Sequence, residues 1–182
     1  MSERITTKQI GNRILEPWMW ITIIVSATNF ENLFALRCHP ATEPHFQNLA
    51  YKARTALDNS IPNKLEWGQW HLPLIYEEDL PLIPENFLPN VSAGRCARVS
   101  FLTHEGKRDW EADKELCQRL TSAVPLHASP LEHPAQAVRP PVGRHVPVNV
   151  GGVPITDWGN FDPGWLQLRK MYNNENITKR LV

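Results

Sequence analysis

Two arginines, Arg13 and Arg37, stand towards either end of the most apolar part of the chain, NRILEPWMWITIIVSATNFENLFALRCHP. A guanidinium stays charged and seeks a planar oxyanion, so beside this much apolar surface it is costly unless it meets an anion. Arg13 and Arg37 are therefore candidates for a phosphate clamp. The plain alternative is that each pairs with a carboxylate or snorkels to water. A second group of chemically capable residues lies in VPLHASPLEHP, a loop punctuated by proline that carries His127, Ser129, Glu132 and His133. Loops on a rigid scaffold gather binding residues, although a single histidine there is more often a surface residue. The seven histidines form no HExxH or comparable ligand spacing, so no metal site is expected. Cys38, Cys96 and Cys117 are widely spaced without CxxC, which argues against a disulfide framework or a zinc knuckle and points to the reducing cytosol.

The elements that must position these groups follow from pattern. Ile21 to Val25 is β-branched enough to be a buried strand or a buried helical turn, a choice that periodicity does not settle. Thr28-Asn29-Phe30-Glu31 has the spacing of a capping box, and on the helix after it Phe30, Leu33 and Phe34 share one stripe. Asn32 and Leu36 stand one turn apart on its flank, and Pro40 stops it beyond Arg37. The clearest helix runs from Thr42 to Leu57, where Phe46, Leu49, Ala50, Ala53 and Leu57 repeat as a core stripe. Asp58 to Pro89 reads as a long irregular arm packed by Trp67, Trp70 and Tyr76, with Glu77, Glu78 and Asp79 as a solvated face. Ser92 is expected to cap a short helix to Phe101, and Asp109 a second one with Leu116, Cys117 and Leu120 inward. Pro134 to Gly164 is expected to be poorly ordered or wrapped on a partner, WLQLRKMY a short helix and the tail frayed. Ser2 to Ile14 reads as helical and begins abruptly, as though something precedes it.

Composition narrows the class. Nineteen basic and nineteen acidic side chains cancel, so no electrostatic footprint for nucleic acid or an anionic membrane is visible and any anionic ligand must be held locally. No apolar run reaches the roughly 18 residues of a membrane span, and MSERITTKQ lacks the apolar core of a signal peptide. Sixteen prolines in 182 residues, nearly double the usual share of about 5%, announce long irregular connections. Composition alone implies mixed α and β.

Two blocks carry a more specific signal. Ala97-Arg98-Val99-Ser100, then an acidic helix, then His127-Ala128-Ser129-Pro130-Leu131-Glu132-His133, resembles the stretch of flavin-dependent thymidylate synthases that reads A-R-V-S, helix, G-H-x-[ST]-P-F-E-H. NRILEP…NFENLFALR resembles the same family's block in which an arginine, then N-x-x-x-L-R, contact nucleotide and flavin. The reversed order of the blocks is similar to the permuted, phage-type members, in which GNF-x-GW-x-Q-x-R-K also occurs, compared here with Gly159-Asn160-Phe161 and Gly164 to Lys170. Ala41 stands where many members have histidine, Leu131 replaces the phenylalanine, and Leu126 replaces the glycine before His127. The family's R-H-R-x-x-S-x-N-x-x-S-x-R signature, or its T-H-R variant, appears nowhere in the sequence.

The resemblance implies an α/β (α+β) fold, a small antiparallel sheet flanked by helices and an incomplete domain. Residues 1–57 would be its nucleotide- and flavin-contacting helices, 58–90 the proline-rich arm, 91–133 a second flavin-contacting block and 134–182 an irregular tail with a short helix. It implies Arg13 and Arg37 on dUMP, Asn32 and the Leu36 backbone at the flavin ring, Ser100 and Ser129 near the phosphates or adenosine of FAD, and His127 close to flavin and nucleotide. The implied reaction makes dTMP from dUMP, with methylenetetrahydrofolate as carbon donor, reduced FAD as hydride donor and NADPH as reductant. The implied assembly is a homo-oligomer, a tetramer with shared flavin sites, or a complex with a segment encoded upstream. Without the signature, a non-catalytic remnant or interaction protein that keeps the fold is the alternative.

Overall fold

In a computed structural model of the chain, the structure describes residues 14, 18–99, 108–139, 148–150, 153–155 and 161–177. The expectations for Ser2 to Arg13, for Ser100 and for Gly159-Asn160 lie outside those residues. Among the described residues the helices are α1 (Glu31–Arg37), α2 (Pro44–Asp58), α3 (Leu88–Ala97) and α4 (Trp110–Ser122). Strands β1 (Trp70–His71), β2 (Ala135–Ala137) and β5 (Trp165–Gln167) form an antiparallel sheet in the order β1-β2-β5. A separate hairpin pairs β3 (Val148–Val150) with β4 (Val153–Ile155). The class is thus mixed helix with a small antiparallel sheet.

The centre of the molecule is the packing of α3 on α4. Gly94 makes it possible, since a Cβ there would stand 2.1 Å from the Asp113 carbonyl oxygen. Around this contact, Ala93, Cys117, Leu126, Leu131 and Leu168 form one buried cluster, and Ile83, Leu88 and Val91 form another. Asp109 caps α4 as expected, accepting from the amides of Glu111 and Ala112 at 3.1 Å each. Cys117 is fully buried. Ser92 does not cap α3. It lies in mid-helix, and its hydroxyl donates to the Pro73 carbonyl at 2.6 Å, tying the arm to the helix.

The acidic triplet is corrected in the same region. Glu77 and Glu78 are exposed, but Asp79 is buried, with Arg95 Nη1 at 2.5 Å from its Oδ2 and Nη2 at 3.0 Å from its Oδ1. Arg95 Nε donates to Asp113 Oδ2 at 3.1 Å, and Asp113 Oδ1 meets Arg98 Nε at 2.5 Å. Arg95 Nη1 also donates at 2.7 Å to the carbonyl of Leu74, whose φ of 63° is unusual for a side chain of that bulk. Each buried charge is thus matched by an opposite one, the condition under which burial is tolerated.

The N-terminal third departs most from expectation. Ile21 to Val25 is neither a regular strand nor buried; it runs without regular structure, with Ile21, Ile23 and Val25 64 to 70% exposed. No capping box forms at α1. Asn29 Oδ1 takes the Glu31 amide at 2.7 Å, while Thr28 Oγ1 donates to Asp162 Oδ2 at 2.9 Å. The α2 stripe is helical as expected, with Glu43 accepting from the Phe46 amide at its start, yet only Ala50 on it is buried. Beyond residue 134, Ala135–Ala137 is the central strand of the sheet, and WLQLRKMY is a strand followed by the 3-10 turn Leu168–Met171. Gly164, with φ of 113°, starts that strand and accepts from the Val138 amide at 2.9 Å. The tail is anchored as far as Glu175, through Asn174 Nδ2 on the Thr121 carbonyl and Glu175 on Arg169.

Candidate functional site

Three distant segments meet beside the sheet. Ser26 Oγ lies 3.1 Å from His133 Nδ1, which joins the apolar stretch before α1 to the end of HASPLEH. Thr28 Oγ1 donates to Asp162 Oδ2 and accepts from the Asp162 amide at 3.2 Å, which joins it to the segment leading into β5. Between them opens a cleft of about 410 Å³ lined by Ser26, Thr28, Phe30, His71, Phe161 and Trp165, among others. A second, wider cleft of about 720 Å³ continues from Thr28 and Phe30 along Phe34, Arg54 and Asp58. The two share the residues Ala27, Thr28, Phe30 and Leu57, so they form one continuous trough.

The trough is aromatic and nearly neutral. Burial pushes the His71 imidazole below its ordinary value, and burial, reinforced by the nearby His71 and opposed by Glu132, does the same for His133. Phe30 and Phe34 stack at 6.0 Å. Neutral imidazoles and hydroxyls among aromatic rings suit a flat heterocycle that both donates and accepts hydrogen bonds. Among the described residues no group of three or more His, Cys, Asp or Glu could hold a metal ion. Thiolate chemistry is disfavoured as well, since burial pushes the Cys96 thiol up to about 12 and raises that of Cys117.

The residues singled out in the sequence flank this trough rather than line it. Asn32, Leu36 and Arg37 are exposed on α1, and His127 and Ser129 are exposed on the loop at the start of the turn Ser129–Glu132. The Leu36 carbonyl, expected at the flavin ring, accepts from Thr42 Oγ1 at 2.9 Å. The Arg37 guanidinium lies 5.5 Å over the Phe46 ring, and among the described residues no carboxylate neutralises it. Arg13 and Ser100 lie outside the described residues, although Arg98, just before Ser100, is held by Asp113. His133 was singled out with its loop, but Ser26, His71, Asp162 and Trp165 were not, because each belongs to the site only through contacts far apart in sequence. The one hint was the likeness of Gly159-Asn160-Phe161 and Gly164 to Lys170 to a segment of the permuted members, which says nothing of what the segment touches.

The fold and trough define an α+β chain with a ring-sized aromatic cleft. Comparison with known protein families, curated proteins and solved structures finds no match.

Proposed function

We propose that this chain is a flavin-dependent thymidylate synthase, or the C-terminal portion of one, making dTMP from dUMP. What supports this reading above all is the convergence of the resembling blocks: the stretch before NFENLFALR bonds to the end of HASPLEH through Ser26 and His133, and to NFDPGW through Thr28 and Asp162. The aromatic trough, and an Arg37 that no carboxylate neutralises among the described residues, fit a flavin and a nucleotide anion. In this reading Asn32 and the Leu36 backbone hold the flavin ring, Ser100, Ser129 and His127 hold the rest of FAD, and Arg13 and Arg37 grip dUMP. The bound flavin supplies the hydride, with methylenetetrahydrofolate as carbon donor and NADPH as reductant, and the protein supplies orientation and electrostatics.

Both the α1 group and the loop group are exposed, which fits sites completed between chains. Twelve large apolar side chains between Trp18 and Leu57 are 40% or more exposed, Trp20 fully so. So many exposed apolar side chains in one part of the sequence make the kind of surface that a partner covers. A homo-oligomer, a tetramer as in the family, or a complex with a polypeptide carrying the missing signature would cover it. This partner, like the cytoplasmic setting, is part of the proposal. Among the described residues no helix is long and apolar enough to cross a membrane.

The test is uptake of FAD and dUMP by the purified chain, alone and with any upstream-encoded polypeptide bearing H-R-x-x-S-x-N-x-x-S-x-R. Yellow colour with flavin absorbance, and dUMP binding weakened roughly 30-fold or more by Arg37→Ala, are expected, as for truncation of one partner of a charge pair. Arg37→Lys should not restore it, since a point charge cannot replace a fork. Failure to take up FAD under both conditions selects the remaining reading, a non-catalytic remnant or interaction protein that keeps the fold, for which the missing signature speaks.

A further inference from the structure

Arg169 sits on the 3-10 turn after β5 and aims its guanidinium at two carboxylates from different parts of the chain. Nη1 donates to Glu132 Oε1, at the end of the turn Ser129–Glu132, and Nε lies 3.2 Å from Glu175 Oε2. Glu175 is held in turn by Lys170 Nζ at 3.3 Å. The neighbours of Arg169 grip the same loop through its backbone: Gln167 Nε2 donates to the Glu132 carbonyl at 2.8 Å, and the Leu168 amide to the Pro134 carbonyl at 2.9 Å.

A four-residue 3-10 turn has little stability of its own, so whatever grips its ends decides its geometry. Its own bond, from the Leu131 amide to the Ala128 carbonyl, spans 2.9 Å, and Leu131 is fully buried. Past the turn, His133 reaches Ser26 at 3.1 Å. Glu132 therefore stands between the exposed Ser129 and His133, the histidine bonded to Ser26 of the trough lining. Arg169 is the side chain that fixes the Glu132 carboxylate.

We infer that Arg169 is a positioning residue: by bridging Glu132 and Glu175 it sets how the turn presents Ser129 on one side and the His133 ring on the other. A guanidinium can donate to Glu132 through Nη1 while the rest of its spread charge lies beside Glu175, which the compact ammonium of lysine does not reproduce. The link to flavin rests on the function proposed above; the link to the turn does not.

Hydrogen exchange on the full chain, without added ligand, tests the positioning directly. In Arg169→Lys and in Glu132→Gln, amides of residues 128–134 should exchange about tenfold faster while those of α3 and α4 keep their wild-type rates, as expected for a local opening. FAD affinity, read by quenching of flavin fluorescence, should fall at least tenfold in both variants. Wild-type exchange over 128–134 in both variants, or acceleration spread equally over α3 and α4, overturns the inference, the latter because it describes a merely structural ion pair. Faster exchange confined to 128–134 in a chain whose wild type binds no FAD, alone or with the upstream-encoded polypeptide, upholds the positioning and rejects the flavin reading.

Discussion

Arg95 donates to both oxygens of Asp79 and to one of Asp113, and all three side chains are buried. The hydrogen bonds from Arg95 hold the Asp79 carboxyl below its ordinary 3.8. A carboxyl depressed in the fold contributes stability that is complete above its unfolded value, near pH 4, and is lost as pH falls through its folded value. Asp79→Asn should therefore lower the unfolding free energy read from urea titration at pH 7, by about 3 kcal/mol for a buried ion left short of a partner. It should also flatten the decline of stability below about pH 4, and an acid limb as steep as that of the wild type would refute the assignment. The role of Asp79 was hidden in the sequence, because EED reads as a solvated run until the fold sends its third member inward. Arg37 was easier to read: an arginine among apolar residues remains without a carboxylate partner among the described residues, although it lies exposed on α1 rather than in the trough.

At the scale of elements, the long periodic helices were legible and the sheet was not. Asp109 and the stripe of Trp110–Ser122 place α4 from local sequence alone, and Pro44 marks the start of α2. Strands of two or three residues are too short to show alternation, so Ala135–Ala137 and Trp165–Gln167 passed for loop and helix. Their pairing depends on partners some thirty residues away, as in Gln136 opposite Leu166. The α3–α4 contact carries its own prediction. Gly94→Ala would force a methyl to 2.1 Å from the Asp113 carbonyl, which is backbone and cannot swing aside. The helices must separate, and the loss of unfolding free energy in urea should be about 3 kcal/mol or more. A variant as stable as the wild type would mean that α3 and α4 pack less closely than described.

For the whole molecule, the unequal burial of its two ends governs behaviour. The half built on α3, α4 and the sheet holds nearly all the buried apolar residues, whereas residues 18–57 contribute Ala50 alone to the core. Such a chain should associate. Sedimentation at tens of micromolar should show a species well above 20.8 kDa, and Trp20→Glu should shift it downward. A wild-type chain that sediments as a monomer would argue against shared sites. Helical periodicity showed that the α2 stripe exists but not what it faces, since the same pattern serves a core and an interface alike. The latch between Thr28 and Asp162 spans 134 residues. Closing so wide a loop is entropically expensive and kinetically late, so this latch is a contact that a folding chain makes only after its local helices have formed.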